Sequence, residues 1–307
     1  MALLDISDLH LSMRSFEGET PILKGIDLTV ERGQIWGVVG ETGSGKSLTG
    51  LTISRLLPTT TARYTGGQVR FDGKDVLRAS DREMRALRGG RIGMIFQDPT
   101  TNLNPSFRIG TQMVDAALHA ARDKPEILGL TGRESRRARR RAAWDASVAL
   151  LESFGLHDAA DRMTRFPHEF SGGMRQRVLI AMAMIGQPDL LIADEPTTAL
   201  DVSVQSQILR LIHRLVEERN IGVMFITHNL GVVAQLCSHV AVMYRGRIVE
   251  RGPVTSVLKA PEHIYTRALM DAIPTARAQM DTLRGIDGPL RDRIEAEIAA
   301  TAKEAAA

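Results

Sequence analysis

This sequence predicts an α/β fold, on three observations. Apolar and polar residues alternate through the first thirty positions. A nearly continuous apolar run then ends in a glycine-rich turn and leads into a helix-like segment. From about Asn102 to Ala183, apolar residues recur at spacings of three and four. Period two marks half-buried strands and a period near 3.6 marks helices, so the 307 residues mix both.

Taken in order, Leu9, Leu11 and Met13, then Ile26, Leu28 and Val30, predict two strands with one face inward. Gln34 to Val39 predicts a buried strand, and Leu48, Leu51, Leu56 and Leu57 are among the apolar positions of a helix-like segment after it. Gly66 to Val76 returns to short strands with turn glycines. Within the helical stretch, Trp144, Val148 and Leu151 form one stripe. Leu190 to Ala193 and Val223 to Thr227 predict two more buried strands with a helix between them. His239 to Gly252 reads as a hairpin, and the chain after Pro253 as polar helix ending in an alanine-rich tail that is expected to fray.

Composition narrows the function classes. Hydrophobic residues make up 43% and charged residues 24%, enough to bury a core. The net charge of +3 is small for a dedicated nucleic-acid binder, and no nucleic-acid partner is expected. One cysteine, Cys237, excludes an intramolecular disulfide framework and a cysteine-rich metal site, including an iron–sulfur cluster. No run approaches the roughly 18–20 apolar residues that span a bilayer. The N-terminus carries Asp5 and Asp8 and does not read as a signal peptide, so any membrane role is expected to be peripheral. Six arginines between Arg133 and Arg141 read as the solvated face of a surface helix, with contact to anionic headgroups or nucleic acid as the alternative.

Gly40-Glu41-Thr42-Gly43-Ser44-Gly45-Lys46-Ser47 matches G-x-x-x-x-G-K-[ST]. Glycines let such a loop curl its N–H groups around phosphate oxygens, and the following helix adds the positive end of its dipole. Lys46 can reach the β and γ phosphates of ATP, and the Ser47 hydroxyl can ligate Mg²⁺. The apolar strand from Leu190 ends in Asp194 and Glu195. Neighbouring strand residues point to opposite sides, so Asp194 is expected at the metal and Glu195 at the attacking water.

Further motifs decide among P-loop families. Ser171-Gly172-Gly173-Met-Arg-Gln-Arg177 resembles the signature of ABC ATPases, with Phe170 where leucine is usual. A serine and paired glycines can open a helix and offer N–H donors to a γ phosphate. Gln97, Asp201 and His228 fall where that family keeps its Q-loop glutamine, D-loop aspartate and switch histidine. In narrower terms, GETGSGKS, FQDPTTNLNP, PHEFSGGMRQRV, ADEPTTALDVSVQSQ and APEHIYTRALMDAIP resemble the dipeptide and oligopeptide importer branch. The P-loop and the Thr197–Asp201 segment resemble the first of that branch's two usual paralogues. Asn229 stands where aspartate is common, and Ile264 where proline is. Phe16 is the candidate for stacking on adenine, with Met13 in the usual aromatic position.

The resemblance implies a RecA-like core with an antiparallel β subdomain and a helical subdomain at about 100–180. It places the ABC ATPase domain at 1–253 and an importer-type extension at 254–307. It also implies catalytic roles for Glu195, His228 and Gln97, with Gln97 also near the metal. Two ATPase subunits, often paralogues, would pack head to tail at the cytoplasmic face of the inner membrane. Each ATP then lies between one P-loop and the other subunit's signature. Two membrane permease subunits would dock on a groove near Gln97, with a solute-binding protein as an indirect partner. The alternative is an ABC ATPase that transports nothing and serves a metabolic or regulatory complex. The solute is open, because its selection belongs to the other subunits.

Overall fold

The structure is a computed structural model that describes residues 2–16, 18–98, 101–198, 200–272 and 288–304. Strands β1 (Leu4–Ser15) and β2 (Gly18–Val30) pair antiparallel, with Leu4 opposite Val30 and Leu11 opposite Leu23. The predicted alternation is interrupted where the register slips, most clearly early in β1. Ile6 and Leu9 are three apart, yet both are buried, because the register slips between them and Asp8 takes a φ of 47°. One extra residue in a strand turns the following side chains to the other face, and here it returns them to the core.

Strand β3 (Ile35–Val39) runs into the P-loop and helix α1 (Lys46–Ile53). This helix is shorter than the leucine pattern suggests. Leu56 and Leu57 lie beyond it, and its buried positions include Thr49, Gly50, Thr52 and Ile53. Close approach explains the small residues: a Cβ on Gly50 would sit 3.0 Å from Ile192 and 3.2 Å from Ile226, side chains of the sheet beneath. The chain then adds β4 (Ala62–Phe71), which pairs with β1, and the two-residue β5 (Lys74–Asp75). The resulting antiparallel sheet has the order β2-β1-β4-β5.

Helix α2 (Asp81–Leu87) is closed by a capping box between Ser80 and Glu83 and leads to β6 (Ile92–Ile95). Four helices follow: α3 (Ile109–Ala120), α4 (Arg136–Ser153), α5 (Ala159–Arg162) and α6 (Gly172–Met184). Leu151 on α4 is fully buried, and Trp144 and Val148 pack against the same core. Arg136, Arg137, Arg140 and Arg141 at the start of α4 are exposed, as a solvated helix face should be.

The last part alternates β7 (Leu190–Asp194), α7 (Val202–Arg219), β8 (Gly222–Ile226), α8 (Leu230–Leu236) and β9 (His239–Tyr244). Strand β10 (Arg247–Pro253) turns back on β9, and helices α9 (Val254–Lys259), α10 (Ile264–Asp271) and α11 (Gly288–Glu304) end the chain. The second sheet has the order β10-β9-β3-β8-β7-β6, with every pairing parallel except that of the hairpin. Val, Ile, Leu, Phe and Met dominate β7 and β8, which are buried throughout, as expected of parallel strands covered on both faces.

Three clusters make the core. One lies between the parallel sheet and helices α3, α4, α6 and α7, and a second between the two sheets. The third joins Val39, Val240 and Val242 to Val254, Val257, Tyr265 and Ile294. The helices beyond Pro253 therefore share a core with the strand that feeds the P-loop. Among the described residues no helix is long and apolar enough to cross a membrane.

Candidate active site

In open parallel sheets, ligands bind beyond the carboxyl ends of the strands. Four strands here deliver functional side chains to that edge in spatial order. The P-loop follows β3, His228 follows β8, Asp194 ends β7 with Glu195 just after it, and Gln97 follows β6.

The P-loop bends through positive φ at Gly40 (151°), Gly43 (85°) and Gly45 (105°). Gly40 also has no room for a side chain, because a Cβ there would meet the Met243 carbonyl oxygen at 2.1 Å. Gly45 is the N-cap of α1, no side chain caps that end, and no acidic residue stands in its first turn. Such an end presents free N–H donors and the positive pole of the helix to an anion. Lys46 Nζ donates to the carbonyls of Gly40 and Glu41, both at 2.8 Å. Burial pushes the Lys46 pKa down, and the carboxylates of Glu195, Asp194 and Glu41 offset only part of that.

Asp194 is buried and accepts a hydrogen bond of 2.9 Å from the Ser47 hydroxyl. Burial raises its pKa, against the Ser47 bond, and the neighbouring Glu195 charge adds to the rise. A hydroxyl and a carboxylate oxygen side by side are the hard donors that Mg²⁺ takes together with nucleotide phosphates, so this pair fits the metal.

Glu195 reaches its place differently from the strand alternation expected. The strand stops at Asp194, and Glu195 adopts a φ of 46° while its N–H donates to the Ile226 carbonyl at 2.9 Å. A left-handed glutamate costs about 1–2 kcal/mol, and strain of this kind persists where surrounding contacts impose it. Three groups then converge on its carboxylate. Thr198 Oγ1 donates at 2.8 Å, Gln97 Nε2 donates at 3.2 Å, and His228 Nδ1 lies 3.2 Å from the other oxygen. Burial raises the Glu195 pKa, but the bonds from Thr198 and His228 and the charges of His228 and Lys46 outweigh it, leaving the carboxyl below its ordinary value.

These residues line one cleft: Thr42, Gly43, Gly45, Lys46, Ser47, Leu48, Gln97, Glu195, Thr198 and His228. The other sequence candidates lie outside that lining. Ser171 caps α6 by accepting from the Met174 N–H at 3.3 Å, so the serine and paired glycines do open a helix. Asp201 caps α7 by accepting from the Val204 N–H at 2.9 Å. A Cβ on Gly173 would touch Val204 at 2.9 Å, so the two helix starts are neighbours. Phe16 is fully exposed beside the β1–β2 turn. Sequence reasoning missed Thr198, whose only signal was a hydroxyl three residues after Glu195. It also missed Tyr265, whose hydroxyl accepts from the Glu41 N–H at 3.0 Å.

The model of the ABC transporter family matches residues 23–198, the span that carries the P-loop, the signature, Asp194 and Glu195. This chain belongs to the ABC transporter family. A second model, for the C-terminal region of oligopeptide/dipeptide transporters, matches residues 249–298. The probable peptide ABC transporter ATP-binding protein y4tR of Sinorhizobium fredii is 46% identical over 294 residues, spanning 94% of this chain and 83% of its own. The dipeptide transport ATP-binding protein DppD of Bacillus subtilis is 41% identical over 285 residues, spanning 93% and 81%. Among solved structures, an ATP-binding cassette determined as a dimer in a post-hydrolysis state with ADP and Pi superposes with a TM-score of 0.67. It is 25% identical and covers 82% of this chain and 98% of its own. The cbiO1 protein of Clostridium perfringens, part of the cbiONQ transporter complex, gives 0.66 at 25% identity, covering 87% and 95%. The protein is accordingly an ATP-hydrolysing cassette of the ABC family.

Proposed function

We propose that this cassette powers the import of peptides, or of small solutes like them, through separate membrane subunits. The observation that carries this reading is the pairing of an ABC ATPase with an oligopeptide/dipeptide-type C-terminal region in one chain. Relatives named as peptide and dipeptide transport ATP-binding proteins support it, and they do not favour the non-transport alternative. The protein would sit at the cytoplasmic face of the cell membrane, held there by two permease subunits docked near Gln97, with a solute-binding protein acting through them.

The residue roles follow from geometry. Lys46 and the N–H groups of Gly43 and of Gly45 to Ser47 would hold the phosphates of ATP, and Ser47 with Asp194 would hold Mg²⁺. Bound there, the metal would neutralise charge on the phosphates. Glu195, kept ionised by Thr198 and His228, is placed to orient or deprotonate water, and Gln97 links that carboxylate to the face proposed for docking. Ser171 to Gly173 and Asp201 are outside the cleft. In a head-to-tail pair they would complete the site of a second ATPase subunit, whether an identical chain or a paralogue.

The experiment is reconstitution of the cassette with its permease subunits and binding protein in vesicles. ATP-dependent uptake of labelled di- and oligopeptides is compared with uptake of nickel chelates, glutathione and sugars. Peptide uptake that requires ATP is the expected result. ATP hydrolysis that is indifferent to permeases and solute would remove the transport reading.

A further inference from the structure

Tyr265 lies on α10, within the region matched to the transporter C-terminal model, while Glu41 is the second residue of the P-loop. The two are 224 positions apart, yet the Glu41 N–H donates to the Tyr265 hydroxyl at 3.0 Å. That N–H belongs to the same peptide unit as the Gly40 carbonyl, which accepts from Lys46 Nζ at 2.8 Å. One peptide plane is thus gripped at both ends, by the P-loop lysine and by the C-terminal region.

The tyrosine is itself held firmly. It is fully buried, and its ring centroid lies 4.6 Å from that of Tyr244, tilted by 49°. Tyr244 ends β9, and two residues later the Gly246 N–H donates to the Ser44 carbonyl at 2.9 Å. Arg245, between them, lies over the Tyr244 ring and pairs with Glu295 of α11. The C-terminal helices therefore brace the P-loop at Glu41 directly and at Ser44 through this turn. Burial also raises the Tyr265 pKa, so its hydroxyl stays protonated across the physiological range.

We infer that the C-terminal region is part of the nucleotide site, with Tyr265 as a positioning residue that fixes the Gly40–Glu41 peptide and, through it, the Lys46 ammonium. The inference rests on the P-loop as the ATP site. It gives the region a role within the cassette, independent of which solute is carried.

Tyr265→Phe in the full chain removes the hydroxyl and keeps the ring. Titration with Mg-ATP should show a dissociation constant about three- to tenfold higher, the worth of one hydrogen bond. KM for ATP should rise in step while kcat at saturating ATP changes less. Amide exchange should quicken in the peptide containing Glu41, and the melting temperature should move by no more than about 2–4 °C. Tyr244→Phe is the matched control. It deletes a buried hydroxyl that has no hydrogen-bond partner among the described residues, and should leave affinity and exchange unchanged. A Tyr265→Phe affinity within about twofold of the unchanged chain, or a loss that Tyr244→Phe shares, overturns the role of Tyr265. Failure of the unchanged chain to bind Mg-ATP would instead remove the P-loop reading and this inference with it.

Discussion

His228 Nδ1 lies 3.2 Å from Glu195 Oε1, and the two residues come from the ends of adjacent parallel strands. The contact exists because Glu195 leaves the strand direction at a φ of 46° and turns its carboxylate toward β8.

With the Thr198 hydrogen bond, this pairing holds the carboxyl below its ordinary value against burial. The Glu195 pKa is depressed when folded, so its favourable contribution is complete above the ordinary glutamate range and lost as pH falls through the folded value. Lowering pH from 8 to 6 should therefore not reduce turnover by protonating Glu195. In His228→Ala, burial acts with less opposition and the carboxyl pKa rises. The acid limb of the kcat profile should move to higher pH, and kcat should fall by about tenfold or more at pH 7. An unchanged acid limb together with unchanged kcat would show that His228 does not act on Glu195.

Asp194 has the opposite sign. Its pKa is raised by burial, so the ionised form destabilises the folded chain increasingly as pH rises from the unfolded value through the folded one. Asp194→Asn keeps the shape and the Ser47 contact while deleting that buried charge. The nucleotide-free variant should melt at the same temperature as the parent or about 2–4 °C above it. Stabilisation by ATP should lose its dependence on Mg²⁺. Thermal scans with ATP alone and with Mg-ATP check both halves, and full retention of the Mg²⁺ effect would remove Asp194 from the metal site.

Much of this was legible beforehand because the signals are local. Strand, glycine loop and helix occupy consecutive residues, as do the Leu190–Glu195 strand and Ser171–Gly173, and each predicts its own backbone. The left-handed turn at Glu195 was not legible, because glutamate gives no warning of positive φ. The end of α1 was not legible either, since Leu56 and Leu57 lie beyond it. Nor does leucine spacing tell that the helix approaches β7 and β8 closely at Gly50, where a Cβ would crowd Ile192 and Ile226. Strand order is non-local as well, since β3 sits between β9 and β8, far from its neighbours in sequence. The grip of Tyr265 on Glu41 belongs to the same class, as a tyrosine in a polar helical tail carries no sign of its partner.

Cys237 offers a check on the packing of β3. Its thiol is pushed up to about 12 by burial, and its sulfur would lie 3.1 Å from a Cβ placed on Gly37. A thiol so far from its reactive anion should resist alkylation at pH 7.5 in the native protein and react once the chain is unfolded. Stoichiometry after timed iodoacetamide exposure, with and without denaturant, reads this directly. Rapid labelling of the native form would mean that the α8–β3 contact opens readily.

The most demanding test falls on Glu195 itself. Glu195→Gln preserves size and can still accept from Thr198, but it removes the negative charge that orients or deprotonates water. Binding of Mg-ATP should survive, because the phosphates depend on the P-loop and Lys46, and the metal on Ser47 and Asp194. Hydrolysis should fall by about 10²–10⁴-fold, the usual contribution of a positioned base. With chemistry blocked and binding intact, the variant should accumulate as an ATP-dependent dimer, each cleft covered by the Ser171 region of the other subunit. The unchanged chain should be mainly monomeric without nucleotide. Light scattering with and without Mg-ATP, run beside turnover on the same preparations, separates the steps. If the native partner is a paralogue, its own catalytic glutamate must be inactivated as well, so that the remaining activity belongs to this cleft. Near-normal turnover under those conditions would show that Glu195 is not the base, and loss of nucleotide binding would show that its charge serves the ground state.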